Sequence, residues 1–493
     1  MSSREQPSSY KGATIHMTGI KGTGMAALAE ILHRAGAHVT GSDVEERFFT
    51  DDLLEAIGIT PLIGFDGAHV PPDASLLVYS AAYSDENPER REARKRGIPQ
   101  RSYTEMLGDI SRTRTAVAVS GVHGKTTTTA MLGVMVDASA VPATVVVGSG
   151  VPGFGGSATL VKGEDVLIAE TCEYRRHFLD YDPDILLVTS VEEDHLDYYR
   201  DFEDVISGFV EFGSKLPAGG TLVYCHDDPG ATTVAAMLRE TRPDLTIVPY
   251  GFTCQGIGSI SGYRSSPGMQ RFHLAVPAGR GTEAETPGTG FREISTEWEL
   301  RVPGRHSVLN AAGAILVLAL LTGEVGTDEP AAWRRGLSGF TGTRRRSEVI
   351  RETGGILVLD DYAHHPTAIR TTLEGYRQFW PGRRLVVDFM SHTYTRTAAL
   401  LDQFQRAFES ADVVFLNDIY ASARERYDGG ITGETFAAAV AACHPDVRYV
   451  PDFDMATSEI IAELRPGDIF VTMGAGDNFR IAHAVANYLS RSE

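Results

Sequence analysis

A β-branched run, Ala116-Val117-Ala118-Val119-Ser120, breaks into Gly121-Val122-His123-Gly124-Lys125-Thr126-Thr127 and then into a helical pattern. A strand that turns through glycines directly into a helix belongs in a parallel sheet covered by helices. The turn presents free backbone N–H groups, and the helix dipole behind them favours an anion. Lys125 can neutralise β/γ-phosphate charge, and the Thr126 hydroxyl suits Mg²⁺. Gly121 to Thr127 are therefore candidate ATP-phosphate residues. The loop is a shortened phosphate loop, because Val119 stands where the longer form has its first glycine.

The same alternation of short apolar runs, glycine turns and helical patterns recurs along the chain and predicts an α/β fold. At about 150 residues per domain, 493 residues make roughly three domains. We expect a Rossmann-like domain over 1–111, a central P-loop ATPase-like domain with a mostly parallel sheet over 112–338, and a second Rossmann-like domain over 339–493. In the first, a strand Ile15 to Ile20 leads into a helix whose Met25, Leu28 and Leu32 form one buried stripe. Residues 254–295, rich in Gly, Ser, Pro and Thr, read as hairpins or a mobile insertion, and Ser307 to Leu321 reads as a buried helix.

Composition narrows the function. The formal net charge of −20 disfavours nucleic acid as a partner. The most apolar stretch, Ala311 to Leu321, is shorter than the ~18 residues a membrane helix needs, so no membrane insertion is expected. The opening MSSREQPSSYKG has no apolar signal core, which predicts a cytoplasmic protein. The four cysteines lie far apart without a C-x-x-C pair, which argues against structural zinc and disulfides. Monomer and homodimer are equally compatible with these features.

Two further constellations sit where open α/β sheets bind ligands. Strand Val166 to Ala169 delivers Glu170, and strand Ile185 to Ser190 leads into Glu192-Glu193-Asp194-His195. Thr126, Glu170 and His195 are candidate ligands for Mg²⁺ or Mn²⁺. Spacing alone fits a solvated acidic loop and a structural histidine equally well. Gly22-Thr23-Gly24-Met25-Ala26-Ala27 follows a strand as G-x-G-x-x-A, with Asp43 at the end of the next strand. That pattern serves a dinucleotide, another diphosphate, or a turn with no ligand. A nicotinamide-dependent oxidoreductase would use it, but would leave Gly121 to Thr127 without a role.

Ten segments in chain order resemble the Mur ligases, ATP-dependent amide-forming enzymes of peptidoglycan synthesis. They are Gly19 to Met25, Gly41-Ser42-Asp43, Gly121 to Thr127, Glu170 to Tyr174, Glu192 to His195, Val302 to Asn310, Arg345-Arg346, Asp360 to Pro366, His392 to Arg396, and Gly474 to Asp477. The resemblance implies that Gly22, Thr23, Gly24, Met25, Ser42, Asp43 and Ser80 hold the UDP-sugar. It places Asn310, Arg346 and Asp361 on ATP with the phosphate loop, and Tyr362, His392 and Arg396 at the incoming amino acid. Lys125, Glu170, His195 and Arg346 would be the catalytic group. The substrates implied are ATP, UDP-N-acetylmuramate and L-alanine, joined through an acyl phosphate. A branch that recycles murein tripeptide onto the same sugar is the alternative, and a nucleotide sensor that has lost ligation is another. Lys21 departs from a usual glycine, Ser190 and Ser307 from usual asparagines, and Met390-Ser391 from the common Gln-Pro.

Overall fold

The computed structural model describes residues 10–195, 198–277, 293–323, 329–421 and 429–491. Three helix-flanked sheets follow one another along the chain. Strands β1 (Thr14–Thr18), β2 (His38–Asp43), β3 (Leu62–Ile63), β4 (Leu76–Tyr79) and β5 (Gln100–Ser102) form an all-parallel sheet in the order β3-β2-β1-β4-β5. The order reverses beside β1, which opens a crevice at the C-terminal strand ends.

The central sheet contains β6 (Thr115–Ser120), β7 (Ala143–Val146), β8 (Thr159–Val161), β9 (Val166–Glu170), β10 (Ile185–Val188), β11 (Thr221–Cys225) and β12 (Thr246–Tyr250). Its order is β12-β11-β10-β6-β9-β7-β8, with only β8 antiparallel to its neighbour. Side chains along β6 alternate between two cores. Val117 and Val119 join the helix Lys125–Asp137 on one face, whereas Ala116 and Ala118 join a core shared with Met25, Leu28 and Leu107 of the N-terminal domain. That shared core fuses the first two domains across one face of the central sheet.

An antiparallel meander, β13 (Ile260–Ser266), β14 (Met269–Pro277) and β15 (Glu293–Leu300), runs through the described part of the segment that reads as hairpins or a mobile insertion. Residues 278–292 of that segment lie outside the described residues. Phe272, Leu274, Val276, Trp298 and Leu300 of the meander pack in one core with the helix Arg305–Thr322. That helix is longer than the apolar run that signals it. Its 18 residues have a mean hydropathy of 1.4, enough by length and composition to cross a membrane, and two-thirds of them are buried within the protein. Packing on several sides explains why it lacks a polar stripe.

The C-terminal sheet comprises β16 (Glu348–Thr353), β17 (Ile356–Asp361), β18 (Leu385–Met390), β19 (Val413–Leu416), β20 (Val447–Tyr449) and β21 (Ile469–Gly474), ordered β16-β17-β21-β18-β19-β20. Only β16 runs antiparallel to its neighbour. Alternation along β17 again feeds two cores, Leu357 and Leu359 on one face and Ile356 and Val358 on the other. The strand ends of this domain face those of the central one.

Candidate active site

The phosphate loop is a backbone requirement before it is a chemical one. Gly121 and Gly124 have φ of 133° and 83°, which side-chain-bearing residues rarely adopt. A Cβ on Gly124 would also run into the Asn310 carboxamide, and one on Gly121 into the Thr189 hydroxyl. The loop is pinned to the end of β10: Val122 N donates to Ser190 O at 2.9 Å, and His123 N to Ser190 Oγ at 2.9 Å. Ser190 therefore retains a loop-anchoring bond at one of the departures from the family pattern. Ser307, at another, donates to Pro303 O at 2.7 Å.

Lys125 Nζ donates to Glu173 Oε2 at 2.8 Å, to Val122 O at 3.2 Å and to Gly121 O. Burial works against its charge, yet Glu173, with Cys172 and Glu170 behind it, leaves its pKa above the ordinary lysine value. The Glu173 carboxyl shows the mirror image: burial would raise it, but Lys125 and then His195 hold it below the usual range. His195 Nε2 lies 3.4 Å from Glu173 Oε1, its backbone is left-handed (φ 54°), and its ring rests 4.7 Å from that of Tyr174.

The three expected metal ligands are thus divided. Thr126 Oγ1 donates to Glu170 Oε1 at 3.0 Å, and Gly148 N donates to Glu170 Oε2 at 2.7 Å. A hydroxyl beside a carboxylate is a hard oxygen pair that fits Mg²⁺. His195 instead faces Glu173, on the lysine side of the loop.

A cavity of about 240 Å³ opens beside the loop between the central and C-terminal domains. His123, Gly124, Thr127 and Asn310 line one wall, and Arg346, Asp361 and Thr371 line the opposite one. Asp361 is fixed by Ser347 N at 2.6 Å and Ala363 N at 2.8 Å. Arg345 and Ser347 flank Arg346 with left-handed backbones, and Arg345 pairs with Asp360 at 2.9 Å, so this tight turn presents Arg346 to the cavity. The turn also crosses to the central domain, where Arg344 N donates to Gly150 O at 2.9 Å.

Tyr362, His392 and Arg396 come together through rings and charges. Tyr362 stacks edge-on to His364 at 5.3 Å, His364 lies 6.1 Å from His392, and Arg396 Nη1 lies 3.2 Å from His392 Nδ1. Arg346 sits 4.9 Å from the Tyr362 ring centroid, which joins this group to the cavity wall. Arg396 also reaches across the domain boundary, donating through Nε (3.1 Å) and Nη2 (2.8 Å) to Asp194 Oδ1. Burial would raise the Asp194 pKa, but Arg396 and then His195 drive it far down.

The N-terminal turn is closed by protein groups. Asp43 accepts from Lys21 N at 2.7 Å, Val44 N at 2.8 Å and the Tyr83 hydroxyl at 3.2 Å. Ser42 is fully buried and donates to Glu89 Oε2 at 2.6 Å. Gly22, Thr23, Gly24 and Met25 begin the helix Thr23–Arg34, and the Tyr103 ring sits where a side chain on Gly24 would project. Ser80 lies at the end of β4, its Cβ against Gly19. Lys21 turns away from the turn, pairing with Asp51 at 3.0 Å and donating to Val44 O and Glu46 O, each at 3.0 Å.

Sequence reasoning did not single out Glu173 or Asp194, which hold Lys125 and Arg396. Both belong to the acidic strings quoted above, but only tertiary structure shows which carboxylate meets which cation. Glu89 was equally hidden: it is fully buried beneath the N-terminal turn and accepts from Thr18 and Ser42.

Comparison with known proteins places this geometry. The description "Mur ligase family, catalytic domain" matches residues 14–115, "Mur ligase middle domain" 119–318, and "Mur ligase, glutamate ligase domain" 345–476. The UDP-N-acetylmuramate–L-alanine ligase of Treponema pallidum is 45% identical, over 98% of this chain and 98% of the relative. That of Salinibacter ruber is 39% identical over 99% and 97%. The crystal structure of the UDP-N-acetylmuramate-alanine ligase of Thermotoga maritima superposes with a TM-score of 0.76 at 24% identity, covering 97% of this chain and all of that one. A murein peptide ligase of Psychrobacter arcticus gives 0.66 at 22% identity, over 97% and 99%.

Proposed function

The chain belongs to the Mur ligase family, and from that premise we propose that it joins L-alanine to the lactyl carboxylate of UDP-N-acetylmuramate, converting ATP to ADP and phosphate. The observation that carries this reading is that His123, Gly124 and Thr127 of the phosphate loop line one interdomain cavity together with Arg346 and Asp361. A carboxylate is a poor acyl donor, because the group expelled would be oxide. Transfer of the γ-phosphoryl group to the lactyl oxygen breaks the β–γ P–O bond and leaves an acyl phosphate. The deprotonated alanine amine then attacks the acyl carbon, and phosphate leaves.

In this scheme Lys125 and Arg346 lie on opposite sides of the transferring group and offset its charge by position, which is where most phosphoryl-transfer catalysis resides. Asp361 accepts from the ribose hydroxyls and Asn310 contacts the nucleotide. Thr126 and Glu170 hold Mg²⁺ or Mn²⁺, which when bound shields phosphate charge. His195 serves the same site by orienting Glu173, and so the lysine. Arg396, held by Asp194, places its guanidinium charge at the amino-acid carboxylate, with His392 and Tyr362 beside it. The N-terminal turn offers backbone N–H groups of Gly22 to Met25 to the UDP diphosphate, since Ser42 and Asp43 already serve the protein. Ser80 closes the crevice opposite them.

We take the domains to run 1–111, 112–338 and 339–493, working on small molecules in the cytoplasm as monomer or homodimer. Phosphate release across a panel of L-alanine, glycine, L-serine and murein tripeptide, with UDP-N-acetylmuramate present, tests the reading. Rapid release with L-alanine, dependent on ATP and the sugar nucleotide, is expected. Release with tripeptide alone would assign the chain to the recycling activity instead, the reading its relatives' names support less.

A further inference from the structure

His123 of the phosphate loop, Glu192 after β10 and His365 at the start of the helix Pro366–Phe379 bring one ligand atom each within 4.8 Å of one another. Glu192 Oε2 lies 3.9 Å from His123 Nε2 and 3.9 Å from His365 Nδ1, and the two imidazole rings are 5.1 Å apart. No role in the ligation scheme uses these three side chains together. His123 Nε2, the atom that faces Glu192, is buried without a hydrogen-bond partner, and the His365 side chain is only 3% exposed. Buried polar atoms left unpaired are costly and uncommon, so a ring nitrogen in this state calls for a ligand.

We propose that His123, Glu192 and His365 form a second cation site, for a borderline divalent transition ion such as Zn²⁺, that ties the phosphate-loop domain to the C-terminal domain. Two imidazoles and one carboxylate are the donor set of such an ion, whereas the Thr126–Glu170 oxygens suit Mg²⁺. Burial holds both imidazoles neutral, as ligation requires. Tetrahedral zinc bonds of about 2.0–2.1 Å put ligand atoms about 3.3 Å apart. The three ligand atoms therefore close inward by roughly 1 Å or less each, Glu192 through its rotamer and the two imidazoles through ring rotation. His365 Nδ1 accepts a long 3.3 Å bond from Thr367 N, a weak contact for the metal to displace. Three protein ligands leave a fourth position open, on the cavity wall that His123 and Glu192 line.

Cobalt(II) titrated into the full-length protein with Mg²⁺ saturating reports the site through its visible ligand-field spectrum, and Zn²⁺ affinity follows from competition with a chromophoric chelator. The wild type and Glu170→Gln should each bind a single equivalent with the intense bands of a four-coordinate ion. His365→Asn, which keeps a helix-capping side chain, and Glu192→Gln should each weaken binding by about tenfold or more. Should His365→Asn fail to fold, Glu192→Gln decides alone. Unchanged affinity in these variants, loss in Glu170→Gln only, or no spectral change in the wild type would each overturn the site.

Discussion

Gly19 to Gly24 and Gly121 to Thr127 both carry a parallel strand into a helix at the C-terminal edge of its sheet. Around the first, no lysine or arginine side chain meets the buried acids Glu89 and Asp43 among the described residues: Glu89 has the Thr18 and Ser42 hydroxyls with His16 and His69 at 3.4 and 3.2 Å, and Asp43 has backbone N–H groups and Tyr83. The nearby lysine, Lys21, is engaged elsewhere with Asp51. Around the second, a buried lysine meets a buried glutamate, and two arginines and an aspartate arrive from another domain. The first turn is complete within its own domain. The second is assembled from two: Lys125 is balanced by Glu173 within the central domain, whereas Asp194 is balanced by Arg396 from the C-terminal one. On the proposed reading, a shared backbone motif fixes where an anion sits, whereas the long-range partners decide whether it is merely held or made to react.

The contrast is broken most directly at Lys125. Lys125→Ala should reduce phosphate release by about a thousandfold or more, with UDP-sugar affinity by calorimetry changed little. A large loss of sugar affinity would mean that the two turns act as one. Glu173→Gln removes one member of a buried ion pair and should destabilise the protein by about 4 kcal/mol in denaturant unfolding, with activity falling as well.

Asp388 sharpens the same point, because it is a fully buried carboxyl without a cation. Asn417 and Asn478 donate to it, each at 3.0 Å, and burial pushes its pKa up to about 7. A folded-state value above the unfolded one contributes stability at low pH that is lost as pH rises from about 4 through 7. Asp388→Asn should therefore be more stable than wild type at pH 8 by on the order of 3 kcal/mol, with the gap closing near pH 4. A gap independent of pH would show that the carboxyl stays ionised throughout. The smallest effect is expected at Arg396→Lys, which keeps the charge and loses the two-pronged geometry: KM for the amino acid should rise about tenfold, with kcat changed less. A change in KM for ATP instead would place Arg396 in the nucleotide half of the site.

The phosphate loop, the strands and the succession of α/β units were legible because their signals are local: glycines at a turn, β-branched runs, and a period that switches from two to 3.6. How the candidate metal ligands are arranged was legible only in part. Thr126 and Glu170 meet, but His195 turns to Glu173, and no spacing rule distinguishes the two acids of Glu170-Thr-Cys-Glu173. Ser42 and Asp43 at a strand end read as ligand contacts or as part of a turn with no ligand, and the packing of Glu89, Lys21 and Tyr83 against them was not legible. Lys21 had no legible role, because its partner Asp51 lies thirty positions on, in a helix of its own.

The helix Arg305–Thr322 would satisfy a membrane-insertion machinery by length and hydropathy if it emerged from the ribosome unaccompanied. The central sheet and the meander that wraps it are both encoded upstream. By the time this helix leaves the exit tunnel, the sheet and meander segments that pack against it have already been synthesised, so chain order puts its upstream partners ahead of the most apolar element of the nascent polypeptide.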